Sequence, residues 1–230
     1  MSSATKFTHV GFGGNNKVVP KLEQINENGT RVYATPDGSR YPSVTTILSE
    51  HGREALDRWR NRIGHDEAAR IGARAAARGT KLHMFTEHYL QNDHSVFTGV
   101  DLIGQHFFDE FKPVLSSIDN IHCLETRLYS HHLRLAGTVD CIAEYDGVLS
   151  VIDFKTASKP KRHEWIHNYF MQTAAYAIMY EELTGIPVPQ LVILVAVEDS
   201  HPQIFVERRN RWTQGLIDLR NIYEKSLTNY

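Results

Sequence analysis

The sequence predicts an α/β fold in which one mixed β-sheet is flanked by helices. Apolar and polar residues alternate between Ile121 and Thr156, which is typical of strands. Helical patterns precede this region, and a helix, two strands and a final helix are predicted after it. We expect one main domain over residues 41–230, preceded by a loop and strand extension over residues 1–40.

The region before the sheet is predicted to be largely helical from Ser43, which is suited to be an N-cap. Earlier residues are rich in glycine, asparagine and turn formers, so short strands or loops are expected there. An Ala- and Arg-rich stretch predicts a helix over Glu54–Arg78, interrupted near Gly64. Further helices are predicted over Thr80–Gln91 and Asp101–Ser117.

The alternating region contains three runs separated by His131-His132 and by Asp146-Gly147. This arrangement predicts a three-stranded antiparallel meander, and Asp-Gly favours a two-residue type I′ hairpin. Four elements are predicted after the meander: a helix over His163–Thr184, strands over Leu191–Val197 and Ile204–Glu207, and a helix from Thr213.

The hairpin register identifies a candidate catalytic site. If Asp146 and Gly147 form the loop, counting back along both strands brings Asp140 opposite Asp153. Facing carboxylates repel each other, and a divalent cation such as Mg²⁺ or Mn²⁺ would compensate for this repulsion. Lys155 projects from the same face as Asp153 because strand side chains alternate. An isolated Asp-x-Lys pair is usually a solvated surface pair, but the facing aspartate favours a metal site.

Three more residues can be placed near this site. A preceding turn centred on His131-His132, or one residue later, puts Glu125 diagonal to Asp140 or directly opposite it. Gln172 and Tyr176 are four residues apart, so they share one face of their predicted helix. Each of these positions also has an ordinary structural interpretation, as helix surface or the edge of the core.

Composition limits the class of protein without identifying it. The net charge of -2 and the pI near 6.7 give no global signature of nucleic-acid binding. Two cysteines are too few for a disulfide framework or a four-thiolate cluster. No apolar run is long enough to span a membrane. We expect a cytoplasmic monomer with no membrane association.

Four motifs together resemble the RecB-like branch of the PD-(D/E)XK nucleases. They are Gly79-Thr80-Lys81-Leu82-His83, Gly137-Thr138-Val139-Asp140, Ile152-Asp153-Phe154-Lys155-Thr156 and Gln172-Thr173-Ala174-Ala175-Tyr176. Within that branch the chain is similar to the mitochondrial genome maintenance exonuclease family and its phage or bacterial relatives. That similarity lies in Tyr41-Pro42-Ser43-Val44-Thr45, in residues 56–62 around Trp59 and in residues 136–161.

The resemblance implies a restriction-endonuclease-like core and a role for each motif residue. His83, Asp140, Asp153 and the Phe154 carbonyl become metal ligands, and Lys155 becomes the catalytic lysine. Gln172 and Tyr176 would position the DNA strand near the scissile phosphate, with Glu125 close by. Because no long mitochondrial leader is apparent, a bacterial cytoplasmic protein, or a phage-encoded one, is expected.

The resemblance further implies cleavage of single-stranded DNA from a free end. Ser43, Trp59 and Arg62 are candidate substrate contacts, since arginines can contact phosphates while a tryptophan stacks on a base. Arg-rich helices are equally often solvated surfaces. Two alternatives stay open: a sequence- or structure-selective DNA endonuclease, and a non-catalytic nucleic-acid-binding protein.

Overall fold

The computed structural model describes residues 6–15, 17–27, 29–93, 95–97 and 102–228. A five-stranded sheet forms the centre, in the order β4-β5-β6-β7-β8. Its strands are β4 (Ile118–Ser130), β5 (Leu135–Tyr145), β6 (Val148–Ala157), β7 (Gln190–Val197) and β8 (Gln203–Arg208). Only the β6–β7 pair is parallel among these five strands. The predicted mixed sheet and meander are confirmed.

Helices cover both faces of this sheet. They are α1 (Val44–Ile63), α2 (His65–Leu90), α3 (Leu102–Phe111), α4 (His167–Thr184) and α5 (Asn210–Thr228). One hydrophobic cluster joins the sheet to α1, α4 and α5, and another joins the opposite face to α2 and α3. This layering is the restriction-endonuclease-like architecture expected from the sequence. No helix of the described residues is long and apolar enough to cross a membrane.

The helix boundaries differ from the prediction in several places. The helix predicted from His163 begins at His167, after a 3-10 turn over His163–Trp165. The interruption at Gly64 is confirmed by its non-helical φ of 91°, but α2 continues through Gly79 to Leu90. The third helix ends at Phe111 and becomes a 3-10 turn over Lys112–Ser117, while predicted Asp101 lies outside the described residues. The last helix begins at Asn210 rather than at Thr213.

The first forty residues contact the central sheet at several points. Strands β1 (Glu23–Glu27), β2 (Thr30–Ala34) and β3 (Arg40–Pro42) form a separate antiparallel sheet. Tyr33 is buried with Leu22 against Ala136 of β5, and Phe7 and Phe12 are buried in the two main clusters. These contacts fix the extension on the core. A domain division at residue 40 stays a prediction.

The two cysteines lie in the central sheet as free, buried thiols. Cys123 on β4 pairs in register with Ile142, and Cys141 on β5 directly follows Asp140. Burial raises the pKa of the Cys123 thiol to about 12 and also raises the pKa of Cys141. Both thiols are therefore protonated and unreactive while the sheet is closed.

Candidate active site

The candidate site lies where strands β5 and β6 separate. Their ladder runs from the Tyr145–Val148 pair to the Cys141–Ile152 pair, so the predicted hairpin register is confirmed. Asp140 and Asp153 are the next residue on each strand, just beyond the last paired position. Asp140 Oδ2 instead accepts a hydrogen bond of 2.9 Å from the Phe154 amide. Both carboxylates are thereby held at the fork between the strands.

Glu125 enters the site from β4, at a position where the β4–β5 ladder keeps its register; the irregularity of this ladder lies earlier, between Asp119 and Cys123. The pairs Leu124–Cys141 and Thr126–Val139 place Glu125 opposite Asp140, as the later of the two turn positions predicts. Glu125 has φ of 43°, which costs a non-glycine residue about 1–3 kcal/mol. Such strain is typical of functional sites, where it directs a side chain away from its regular orientation.

His83 of α2 completes a cluster of candidate metal ligands. Its Nδ1 atom lies 3.4 Å from Glu125 Oε1 and 3.7 Å from Asp140 Oδ2. One ligand atom each from His83, Glu125 and Asp140 lie within 4.8 Å of one another. Oxygen and imidazole donors at this separation suit a divalent cation.

Asp153 and Lys155 form a buried ion pair beside this cluster. Lys155 Nζ donates to Asp153 Oδ1 at 2.6 Å, and Asp153 is only 2% exposed. Within the described part of the chain, the other carboxylate oxygen, Oδ2, is buried and has no hydrogen-bond partner. A buried carboxylate oxygen left unpaired is costly, because it has lost its hydration. This oxygen fits the role of a ligand to a bound cation.

The electrostatics of the metal-free site favour retained protons. Burial raises the pKa of Asp153 to about 6, with Asp140 adding to the shift and Lys155 opposing it. Burial likewise raises the pKa of Asp140. Burial alone would lower the pKa of His83, but Glu125, Asp140 and Asp153 outweigh it and raise that pKa to about 9. A cation bound here would take the place of proton charge that the site otherwise holds.

Tyr169 of α4 is a site residue that the sequence analysis missed. Lys155 Nζ lies 5.1 Å from the centre of the Tyr169 ring, within range of a cation–π interaction. Tyr169 precedes Gln172 by three residues, and this spacing on one helix face was the available signal. Tyr169 therefore contacts the lysine from α4, whereas Asp153 contacts it from its own strand, β6.

Gln172 and Tyr176 lie on the same helix as Tyr169, as predicted, and hydrogen-bond to each other. Tyr176 is 3% exposed, and burial raises the pKa of its phenol, with Asp140 and Asp153 adding to the shift. The structure thus brings both residues to the carboxylate cluster. Their contact with a substrate stays a prediction.

Gly137 is required by the close approach of Tyr176. A Cβ atom at residue 137 would lie 2.7 Å from the Tyr176 hydroxyl oxygen. We expect Gly137→Ala to destabilise the protein by about 1–3 kcal/mol through overpacking and to lower activity by moving Tyr176. Urea denaturation measures the first effect. Gly72→Ala in α2, where nothing lies within 4 Å, should be neutral or stabilising, and equal effects of both variants would contradict this explanation.

The three remaining candidates lie at or within α1. Ser43 is the predicted N-cap: it is 2% exposed, and its hydroxyl accepts from the Thr46 amide at 3.0 Å. Trp59 is half-buried and Arg62 is exposed. The structure gives Ser43 a capping role, and substrate contacts by all three residues stay predictions.

The fork thus brings together His83, Asp140, Asp153 and Lys155, which the sequence motifs singled out. The family model of the PD-(D/E)XK nuclease superfamily matches residues 33–221, and the chain belongs to that superfamily of hydrolytic nucleases.

Vertebrate proteins named mitochondrial genome maintenance exonuclease 1 are similar to the chain. The mouse (Mus musculus) protein is 29% identical over 202 residues, covering 80% of this chain and 59% of the relative. The human (Homo sapiens) protein is 28% identical, with coverage of 80% and 58%. The Xenopus tropicalis protein is 32% identical, with coverage of 70% and 50%. The chain thus spans only between half and three fifths of these relatives.

Proposed function

We propose that this chain is a metal-dependent exonuclease that hydrolyses phosphodiester bonds of single-stranded DNA from a free end. The observation that carries the proposal is the cluster of ligand atoms from His83, Glu125 and Asp140 at the fork, beside the ion pair of Asp153 with Lys155. Membership of the nuclease superfamily supports the reaction class. The similar proteins named exonucleases support attack from an end.

The residues of the fork fit a divalent cation, either Mg²⁺ or Mn²⁺. His83, Glu125, Asp140 and Asp153 would hold it, with the Phe154 carbonyl as a further candidate ligand. The unpartnered Asp153 Oδ2 atom and the closely spaced donor atoms are the observations that support this fit. When bound, such a cation lowers the pKa of a water and offsets charge on phosphoryl oxygens.

Lys155 supplies the positive charge that the protein itself contributes to the reaction. Burial lowers the pKa of Lys155, but Asp153 and Asp140 outweigh this effect and raise it, so the ammonium stays charged near neutral pH. Held between Asp153 and the Tyr169 ring, it can donate to a water or to a phosphoryl oxygen. Gln172 and Tyr176 would orient the strand against the fork.

The direct test compares the wild type with Asp153→Ala on linear and circular single-stranded DNA. Each protein is incubated with Mg²⁺, Mn²⁺ or EDTA, and the linear substrate carries an end label. Progressive shortening of the linear strand alone, lost with EDTA and with the substitution, is expected. Cutting of the circle would instead indicate an endonuclease, and binding without any cutting would indicate a non-catalytic protein.

Metal binding itself can be measured without DNA. Mn²⁺ at about 100 times its dissociation constant should stabilise the wild type by about 2.7 kcal/mol, because a ligand of the folded state shifts the unfolding equilibrium. Asp140→Asn should lose most of this stabilisation in urea denaturation. Asp146→Asn in the exposed hairpin should retain it, and an equal response of both variants would argue against metal binding at the fork.

We further infer that the protein acts as a monomer in a reducing compartment. The two free, buried cysteines agree with such a compartment. Bacterial or phage origin stays a prediction, since the similar proteins described above are named mitochondrial.

A further inference from the structure

The segment between β6 and α4, residues 158–166, connects two elements of the candidate site; we call it the 158–166 loop. It starts directly after the strand that carries Lys155 and ends at the helix that carries Tyr169. The Tyr169 amide donates to the Ile166 carbonyl at 2.9 Å, and the Tyr169 ring contacts the Lys155 ammonium. Both ends of the loop therefore lie next to the proposed catalytic lysine.

The loop presents an exposed tryptophan together with basic side chains. Trp165 is 64% exposed, whereas Trp212 is 8% exposed in the core. The Arg162 guanidinium carbon lies 5.3 Å from the centre of the Trp165 ring. A large aromatic ring left in solvent beside a cation is a suitable surface for stacking a nucleobase.

The cations of this loop are available to an external anion. Within the described part of the chain, no carboxylate forms an ion pair with Lys159, Lys161 or Arg162. Four arginines of α1 and α2 differ, because they are matched with acidic neighbours: Arg53 with Glu50, Arg58 with Glu54, Arg60 with Asp57 and Arg70 with Glu67. Arg62 of α1 is exposed and forms no ion pair within the described residues, so it is the exception on these helices. Phosphate binding uses positive charge that is not already neutralised, which favours the loop over the helices.

The loop is also held in place by side chains of β8. The Gln203 side chain accepts from the Lys161 amide at 2.6 Å and donates to the Lys161 carbonyl at 3.0 Å. His163 Nε2 lies 2.7 Å from Glu207 Oε1, and Ile166 is fully buried. Such anchoring reduces the entropy lost when a ligand binds to the exposed side chains.

We propose that the 158–166 loop binds the single DNA strand next to the scissile phosphate. Trp165 stacks on an unpaired base, and Lys159, Lys161 and Arg162 contact the neighbouring phosphates. This inference rests on the proposed nuclease function and names a substrate-binding surface for it. An unpaired base offers its face to Trp165, whereas a base stacked within a duplex does not. Stacking is tolerant of sequence, as a nuclease that removes successive nucleotides requires.

Binding of a fluorescein-labelled oligothymidylate in EDTA tests the proposal without cleavage. Fluorescence anisotropy should show that Trp165→Ala weakens binding between about 5-fold and 150-fold, the usual range for loss of one base–aromatic stack. Trp165→Phe should bind nearly as well as the wild type. Circular dichroism checks that both variants fold. Folding should be unaffected, because the Trp165 side chain is exposed.

The salt dependence tests the three cations. Replacing Lys159, Lys161 and Arg162 together with alanine should lower the slope of log affinity against log salt by about 2, since each phosphate contact on a single strand contributes about 0.7. Arg208→Ala is the matched control. It removes an exposed charge from the end of β8 that is farther from Lys155. At the other end of β8, Gln203 pairs with Val195, which in turn pairs with Lys155. The slope for Arg208→Ala should be unchanged.

The outcomes separate this proposal from the nuclease proposal. Wild-type cleavage combined with unchanged binding by Trp165→Ala would overturn the loop's role and leave the nuclease intact. Absence of wild-type cleavage combined with weakened binding by Trp165→Ala would overturn the nuclease and support the loop. An equal loss of affinity for duplex DNA and for the single strand would overturn the selection of unpaired bases.

Discussion

Replacing Asp153 with asparagine is expected to lower the rate of DNA cleavage by about 10³-fold while stabilising the metal-free protein. The loss of rate follows because a bound cation is worth several kcal/mol of transition-state stabilisation, and this variant lacks a charged ligand. The gain in stability follows because the folded state buries a carboxylate with one unpartnered oxygen. Cleavage of end-labelled DNA and denaturation in EDTA measure the two effects separately.

The stability effect has a defined dependence on pH. The pKa of Asp153 rises from its usual 3.8 to about 6 on folding, so the folded protein binds more protons between these values than the unfolded chain does. The contribution of Asp153 to the stability of the metal-free protein should therefore fall as pH increases from about 4 to about 6. Asp153→Asn lacks this contribution, so its stability relative to the wild type should increase through this window. A difference that does not change with pH would contradict the argument.

Asp146→Asn is the control for the same chemical change at an exposed position. Asp146 lies in the hairpin with φ of 49°, a conformation that asparagine adopts readily before glycine. Its cleavage rate and its stability in EDTA should match the wild type. If Asp153→Asn is as active as this control, Asp153 is not a catalytic residue.

Lys155→Arg is expected to be the second most damaging substitution, although it preserves the charge. The ammonium lies 2.6 Å from Asp153 Oδ1 and faces the Tyr169 ring, so a planar guanidinium cannot occupy the same space or donate in the same direction. We expect the turnover rate to fall about 10²- to 10³-fold, as for loss of one precisely oriented donor. Single-turnover cleavage measures it.

Affinity for DNA should change little in the same variant, because the positive charge is retained. Lys21→Arg at an exposed position of the N-terminal extension is the matched control and should cleave like the wild type. Near-normal turnover by Lys155→Arg would show that only charge, and not the geometry of a lysine, is needed at this position.

The sequence was sufficient to predict the centre of the fold because its decisive contacts are local. A two-residue Asp-Gly loop fixes the pairing of β5 with β6, and this pairing places Asp140 and Asp153 next to each other at the fork. The preceding turn, between β4 and β5, places Glu125 opposite Asp140. The register of a hairpin depends on its turn residues, so the paired positions can be counted along the sequence from the turn.

Helix continuity was harder to predict, because tertiary packing outweighed local preference. Gly79 suggested a boundary, yet a glycine costs an α-helix only about 1 kcal/mol relative to alanine. Leu82, Phe85 and Leu90 are buried against the central sheet and hold the second half of α2 in line with the first. Gly64 does end a helix, since its backbone leaves the helical region.

Tyr169 and Trp165 were missed for a different physical reason. Their significance comes from where the start of α4 lies relative to the end of β6. The three-residue spacing of Tyr169 from Gln172 places both on one helix face, but nothing in the sequence gives the distance of Tyr169 from Lys155. The sequence analysis instead selected Trp59 and Arg62 on α1, where the neighbouring Arg53, Arg58 and Arg60 are ion-paired. Charge density along a helix does not distinguish solvated ion pairs from a surface available to DNA.

The buried cysteines give the sheet a built-in reporter of its opening. Cys141 directly follows Asp140, and its thiol can react with an alkylating reagent only when β5 becomes exposed and the proton is lost. The rate of alkylation then follows the population of molecules in which this strand is transiently unprotected. A cation that binds only the closed fork would slow the modification, so occupancy of the fork can be followed by mass spectrometry without an engineered label.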